Sequence, residues 1–208
     1  MKPGGRILAV ADIHGHGLLL EQLLEHAGYR PDQDRLFLLG DYVNKGPDSE
    51  GTLALIESLC KEGAVALSGN NEQKWLNNGI STQWTPFLRA LPFWSRFGGY
   101  LFVHAGIRPG VPIEHQTVQD LTEIRDPFFA GRLTGRETVV FGHTPASRLG
   151  ASHGQIWLGD RRIGIDTGAG HGEYLTLVDL SGEIAYSMLV TSGSNNIKMY
   201  TYRNREIS

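Results

Sequence analysis

Five stretches of this 208-residue sequence end an apolar run with a metal-capable side chain beside a glycine. They are Asp12-Ile13-His14-Gly15, Gly40-Asp41, Gly69-Asn70-Asn71-Glu72, His104-Ala105-Gly106 and Gly142-His143-Thr144. Carboxylate oxygen, imidazole nitrogen and amide oxygen make a mixed donor set that suits Mn2+, Fe or Zn2+ better than a thiolate-selecting ion. The donors Asp12, His14, Asp41, Asn70, His104 and His143 are too many for one catalytic ion that must keep open positions. They are about right for two ions sharing one carboxylate, at the separation of about 3.5–4 Å used in phosphoryl chemistry. Taken singly, each has a plainer explanation: an Asp after a strand is usually a turn former, and a lone His a satisfied surface or core group. Five repeats of one device are hard to obtain from turn chemistry alone.

Such residues meet only if a sheet gathers them. Arg6 to Ala11 reads as a buried strand, and Leu20, Leu23, Leu24 and Ala27 then recur at helical spacing, with Gly28 as a stop. Residues 36–39 form a second strand, Leu53, Ile56 and Leu59 mark a second helix, and 64–67 a third strand. This alternation implies βαβ units and a largely parallel sheet. In an open α/β sheet the carboxyl ends of the strands share one edge. Asp12, Asp41 and Asn70, each 29 positions from the next, can therefore converge. Further on, 100–103, 138–141, 155–158, 162–165, 174–178 and 184–189 read as short strands, with helices only over 118–124 and 84–90. Residues 198–203 add an edge strand or trail off. The expectation is one α/β domain over 1–208: two packed sheets with helices outside.

Composition narrows the class. Apolar residues make 40% and charged residues 20%, a globular balance. Lys plus Arg number 19 against 22 Asp plus Glu, with no long like-charge block, so a nucleic-acid-coating role has no electrostatic support. The apolar run Ile7 to Ala11 is too short for a signal peptide or a membrane span, and the single Cys60 fits a reducing compartment. A cytoplasmic protein with no membrane or nucleic-acid partner is expected; its oligomeric state is left open. Glycine is in excess, 27 of 208 residues. Gly15, Gly40, Gly46, Gly69, Gly106, Gly142 and Gly168 lie in the strand-end motifs, where a tight turn must aim a ligand without a Cβ in the way.

The ordered motifs from Asp12 to His143, with Ile165-Asp166-Thr167-Gly168 as a weaker match, resemble the calcineurin-like metallophosphoesterase superfamily. Pro145, two residues after His143, where the wider superfamily often has a second His, is similar to the phosphoprotein phosphatase branch and its small phage-type and bacterial enzymes. The resemblance implies a four-layer α/β/β/α sandwich of two mixed sheets flanked by helices. It makes Asp12 and His14 ligands of a first metal, Asp41 a bridge, and Asn70, His104 and His143 ligands of a second. It implies two divalent ions, Mn2+ foremost with Fe or Zn2+ as alternatives, and direct attack on phosphorus by a metal-bridging hydroxide. The substrate it implies is phosphoprotein, as for a Ser/Thr protein phosphatase, or alternatively a dinucleoside tetraphosphate. A third reading is a phosphatase-like regulator with little activity.

Two departures motivate that third reading. The family usually has Asp and Arg where this chain has Asn44 and Lys45, and His where it has Asn71. The usual Asp–His pair protonates the leaving-group oxygen; an amide does not titrate near neutrality, though it still donates a hydrogen bond. General acid catalysis is worth about 10²–10⁴-fold, so good leaving groups should suffer least. Lys45 keeps the positive charge without the bidentate fork, and Arg125 sits where bacterial relatives place a second phosphate clamp. Asn44, Asn71, Lys45 and Arg125 are thus the expected acid-site and phosphate-binding residues. Glu72 is expected to support its loop, His16 to lie outside the site, and His171 is a candidate to replace the acid. Trp75, Trp84, Phe87, Phe93, Trp94 and Phe97 read as a satellite core, with a base-stacking platform as the rarer alternative.

Overall fold

In a computed structural model, which describes residues 5–78, 83–191 and 196–203, the two-residue period of the strands sorts apolar side chains into three layers. In chain order the elements are β1 (Ile7–Val10), α1 (Gly17–His26), β2 (Arg35–Leu38), α2 (Ser49–Lys61), β3 (Val65–Ala66), α3 (Asn70–Asn77), α4 (Thr85–Ala90), β4 (Trp94–Phe97), β5 (Tyr100–Val103), α5 (Val118–Glu123), α6 (Asp126–Ala130), β6 (Thr138–Phe141), β7 (Trp157–Gly159), β8 (Arg162–Gly164), β9 (Tyr174–Asp179), β10 (Ile184–Leu189) and β11 (Ile197–Thr201). The first sheet runs β11-β10-β9-β1-β2-β3, and the second β4-β5-β6-β8-β7. Both are mixed: β1-β2-β3 and β5-β6-β8 are parallel, and the remaining pairs antiparallel.

Leu8, Val10, Leu36, Leu38, Leu175 and Leu177 face outward from the first sheet onto Leu20 and Leu23 of α1 and Leu53 and Ile56 of α2. Ala9, Phe37, Leu39 and Val178 face the other way and meet Phe102, Val140 and Ile163 of the second sheet. Phe37 stacks on Phe102 there, centroids 3.8 Å apart. Leu101, Val103, Val139 and Phe141 leave the far side of that sheet to pack on Leu121, Ile124 and Phe128 around α5 and α6. The result is the expected α/β/β/α sandwich. Among the described residues no helix is long and apolar enough to cross a membrane.

The structure departs from the sequence reading in several elements. The third strand shrinks to two residues, and the expected 155–158 strand moves to 157–159. Residues 70–77 form α3, which the polar run Asn-Asn-Glu-Gln-Lys-Trp-Leu-Asn hides because it carries no apolar stripe. The aromatics do not gather. Trp75, Trp84 and Phe87 pack on the first core, Phe97 on the second, and Phe93 and Trp94 on the third. Trp94–Phe97 is strand β4, paired to β5, so the stacking platform is absent.

Arg6 fastens the start of β1 to the start of β2 by an ion pair and to the end of α1 by two hydrogen bonds. Arg6 Nε and Nη2 donate to Asp34 at 3.1 and 2.7 Å, while Nη1 and Nη2 donate to the Ala27 and Gly28 carbonyls. Burial pushes the Asp34 carboxyl up, but hydrogen bonds from the Arg6 side chain and the Arg30 N–H outweigh it and hold the pKa below the usual value. The contribution of Asp34 is therefore present above pH about 4 and is lost as pH falls below it. Asp34→Ala should lower the unfolding free energy by about 2 kcal/mol in neutral denaturant titrations, with a smaller difference in acid.

Candidate metal centre

The parallel strands deliver their carboxyl ends to one edge, and the loops there are stitched together. Asp12 N–H donates to the Gly40 carbonyl, His14 N–H to the Asp41 carbonyl, and Gly142 N–H to the His104 carbonyl. Glu72, fully buried, ties the second and third loops: its carboxylate accepts from the N–H groups of Asp41, Tyr42 and Gly69, each at 2.8 Å. This is the supporting role expected of it. Gly40 (φ 93°) lies where a Cβ would come within 2.6 Å of Gly69 N, so the two loops approach only through glycine.

Glycine is not the only turning device, however. Asp12 (φ 51°), His14 (47°), Asp41 (57°) and His143 (62°) themselves hold left-handed backbone, as do Asn44 and Lys45 (both 66°). Asp, Asn and His are the side chains that tolerate this region best. Each such residue still costs about 1–2 kcal/mol, strain that clusters at functional sites.

The six candidate ligands converge in two groups that share Asp41. Ligand atoms of Asp12, His14 and Asp41 lie within 4.8 Å of one another, as do those of Asp41, His104 and His143. His14 Nε2 is 3.6 Å from Asp41 Oδ2 and 3.8 Å from Asp12 Oδ2, and His104 Nε2 is 3.5 Å from Asp41 Oδ1. Asn70 Oδ1 lies 3.1 Å from both His104 Nε2 and His143 Nδ1. Backbone carbonyls set two of the tautomers. His14 Nδ1 donates to Val43 O and His104 Nδ1 to Leu39 O, which leaves each Nε2 lone pair facing inward. An amide oxygen facing the His104 Nε2 lone pair suits a cation held between them. With the Asn70 amide reversed, its nitrogen would donate to both rings and its oxygen would accept from Lys74 Nζ at 2.9 Å, the arrangement that needs no cation. The donor set fits divalent metal ions.

Crowded acids add to this. Burial, then the charges of Asp166 and Asp41, pushes Asp12 well above the usual carboxylate value. Asp166, buried and lining the same cavity, is pushed up to about 6 by burial and Asp41. Burial drives His143 down to about 3, with His104 and Arg125 adding to the effect. For Asp166 the raised folded value means a cost that is absent below pH about 4 and complete above its folded pKa. In metal-free protein at pH 8, Asp166→Asn should therefore raise stability, by on the order of 1–3 kcal/mol. The gain should shrink towards pH 5. Denaturant melts in chelator at both pH values check it.

The cavity over these groups has a volume of about 560 Å³ and is lined by four cations, Lys45, Lys74, Arg125 and Arg148. Lys45 Nζ lies 3.1 Å from His14 Nε2, and Arg125 Nη2 3.1 Å from His143 Nε2. Asn44 and Asn71 are joined: Asn44 Nδ2 donates to Asn71 Oδ1 at 3.0 Å, and Asn71 Nδ2 donates to Asp41 Oδ2 at 2.5 Å. His171 is exposed at the cavity rim, while His16 lines a separate groove between the starts of α1 and α2. Sequence reasoning overlooked Lys74 and Arg148 and rated Asp166 only as a weak match. It read Trp75 only as an aromatic core residue, although its indole N–H donates to Asn44 Oδ1 at 2.8 Å.

Several known proteins are similar to this chain. A symmetrical bis(5'-nucleosyl)-tetraphosphatase from Methylococcus capsulatus is 32% identical over 158 residues, 67% of this chain and 56% of that protein. One from Aromatoleum aromaticum is 34% identical over 124 residues, 50% of this chain and 45% of the relative. Serine/threonine-protein phosphatase 1 of Salmonella typhimurium is 38% identical over 82 residues, 39% of this chain and 37% of its own length. The chain thus spans about half the length, or less, of the curated relatives it matches. A crystal structure provisionally assigned as a diadenosine tetraphosphatase superposes with a TM-score of 0.78 at 28% identity, covering 92% of this chain and 96% of that one. The family model for calcineurin-like phosphoesterases matches residues 5–174. That span holds every loop from Asp12 to Asp166, and the chain belongs to the calcineurin-like phosphoesterase family.

Proposed function

We propose that this chain, folded as one domain, hydrolyses the phosphoanhydride of a dinucleoside polyphosphate with the help of two divalent ions, Mn2+ foremost. Asp12 and His14 would hold one ion, Asn70, His104 and His143 the other, and Asp41 both. When bound, such ions supply Lewis acidity at the phosphoryl oxygens and an acidified water. Lys45 and Arg125 steer and clamp the polyphosphate, with Lys74 and Arg148 extending the positive wall along the cavity. Asn71 offers an amide N–H to the phosphoryl or leaving oxygen.

The observation that carries this reading is the Asn44–Asn71 pair. It stands where the family's proton donor is expected and has no proton to give at neutral pH. A serine alkoxide departs badly without one; a phosphate leaving from an anhydride needs none. The tetraphosphatase relatives support the same choice over the phosphoprotein substrate favoured from sequence. With Mn2+, kcat/KM for diadenosine tetraphosphate should exceed that for phosphoserine peptides by at least about 10²-fold. A phosphopeptide turned over as fast as the dinucleotide would refute it.

A further inference from the structure

An unbroken line of hydrogen bonds runs from α3 to the shared carboxylate. Trp75 Nε1 donates to Asn44 Oδ1 at 2.8 Å, Asn44 Nδ2 to Asn71 Oδ1 at 3.0 Å, and Asn71 Nδ2 to Asp41 Oδ2 at 2.5 Å. Every link points the same way. An asparagine amide is almost symmetric in shape, and its two ends exchange by one rotation. Here the ends of the line remove that freedom. The indole N–H only donates, and an ionised carboxylate only accepts. Asn44 must turn its oxygen to Trp75 and its nitrogen to Asn71, so Asn71 presents oxygen to Asn44 and nitrogen to Asp41. The backbone reinforces the arrangement, since Asn44 N–H is held by Ser49 Oγ at 2.9 Å and Asn71 N–H by Asp41 Oδ1 at 2.9 Å.

We infer that Trp75 is a positioning residue which, through Asn44, fixes the Asn71 amide with its nitrogen turned toward Asp41 and the cavity. One Asn71 amide hydrogen is used by Asp41. The second has no protein acceptor among the described residues, and Asn71 lines the cavity. The line thus holds one N–H donor in place for a phosphoryl or leaving oxygen, in an orientation that no protonation step within the two amides can reverse. The donor function assigned to Asn71 here rests on the proposed phosphoanhydrolase reading. The orientation itself does not.

The decisive measurement is a double-mutant cycle on Mn2+-loaded protein with 4-nitrophenyl phosphate. Trp75→Phe keeps the aromatic packing against the first core and removes only the donor. It should lower kcat about tenfold, as expected for a group that orients a site residue from behind, with KM changed less than about twofold. In an Asn44→Ala background, where Trp75 no longer reaches Asn71, the same change should cost less than about twofold. Nitrogen-15 spectra provide a reading independent of turnover: the Asn71 side-chain hydrogens should exchange about tenfold faster in Trp75→Phe, in metal-free protein as well. An equal cost in both backgrounds, or unchanged Asn71 exchange, overturns the inference. Absence of dinucleotide hydrolysis would instead strike the proposed function and leave the exchange arm standing.

Discussion

Exchanging Asn44 for Asp together with Asn71 for His will raise the rate on phosphoserine peptides by about 10²–10⁴-fold and leave phosphoanhydrides within about tenfold. The amide line already has the geometry for this exchange. Residue 44 sits 3.0 Å from residue 71, so a carboxylate there can orient an imidazole, and Trp75 Nε1 remains to donate to the new acid. A histidine at 71 supplies the proton that an alkoxide needs and an anhydride does not. Asn71→His alone should recover less, because its ring would lack an acceptor to set the tautomer. Steady-state kcat/KM for both substrates, wild type against the pair, makes the comparison. Equal acceleration of both would mean that proton supply does not separate them.

Asp41→Ala should lower hydrolysis of every substrate by at least about 10⁴-fold. Asp41 is the one residue common to both ligand groups, and each ion at such a centre contributes several kcal/mol of transition-state stabilisation. Elemental analysis adds a stoichiometric signature: Asp41→Ala should fall from two ions per chain towards none, whereas Asp12→Ala should keep one. The backbone has other supports, because Glu72 still holds the N–H groups of residues 41 and 42. Circular dichroism should therefore remain native. Two tightly held ions and normal turnover in Asp41→Ala would overturn the shared-carboxylate assignment.

Much of this architecture is legible in the residues. The continuous apolar runs before Asp12, Asp41 and His104 mark buried strands, and parallel strands put their ends on one edge. What escaped reading depends on long-range contact. Trp75 looks like core filler, and its ring does pack on the core, yet its N–H reaches Asn44 across 31 residues of chain. Lys74 and Arg148 become cavity residues only once α3 and the turn after His143 are folded beside each other. Helix α3 itself is hidden by polarity: Asn70, Asn71 and Glu72 are buried, but against the site, so no hydrophobic period reports them. The motif glycines were legible, and a Cβ at Gly69 or Gly142 would indeed strike Asp41 or Asp12; the left-handed residues beside them were not. Positive φ at Asp12 or His143 is tolerated by Asp and His better than by most side chains, yet neither composition nor periodicity reports it.

Asp12, His14, Asp41, Asn44, Lys45 and His143 hold φ between 47° and 66°, a backbone shape that glycine adopts without strain. At exposed Lys45 glycine would relax that shape by up to about 1 kcal/mol, whereas at Asp12, Asp41 and Asn44 it would also strip hydrogen bonds from His143, Asn71 and Trp75. Durability and the chemistry of the site therefore pull in opposite directions most plainly at Lys45. Where the cavity's positive charge is under selection the strained lysine persists; where it is not, drift has a downhill path at that position. A descendant carrying glycine there would keep the sandwich and lose one cation of the cavity wall. Its ancestry would remain readable in the sheet order, and the loss of its trade in the loops.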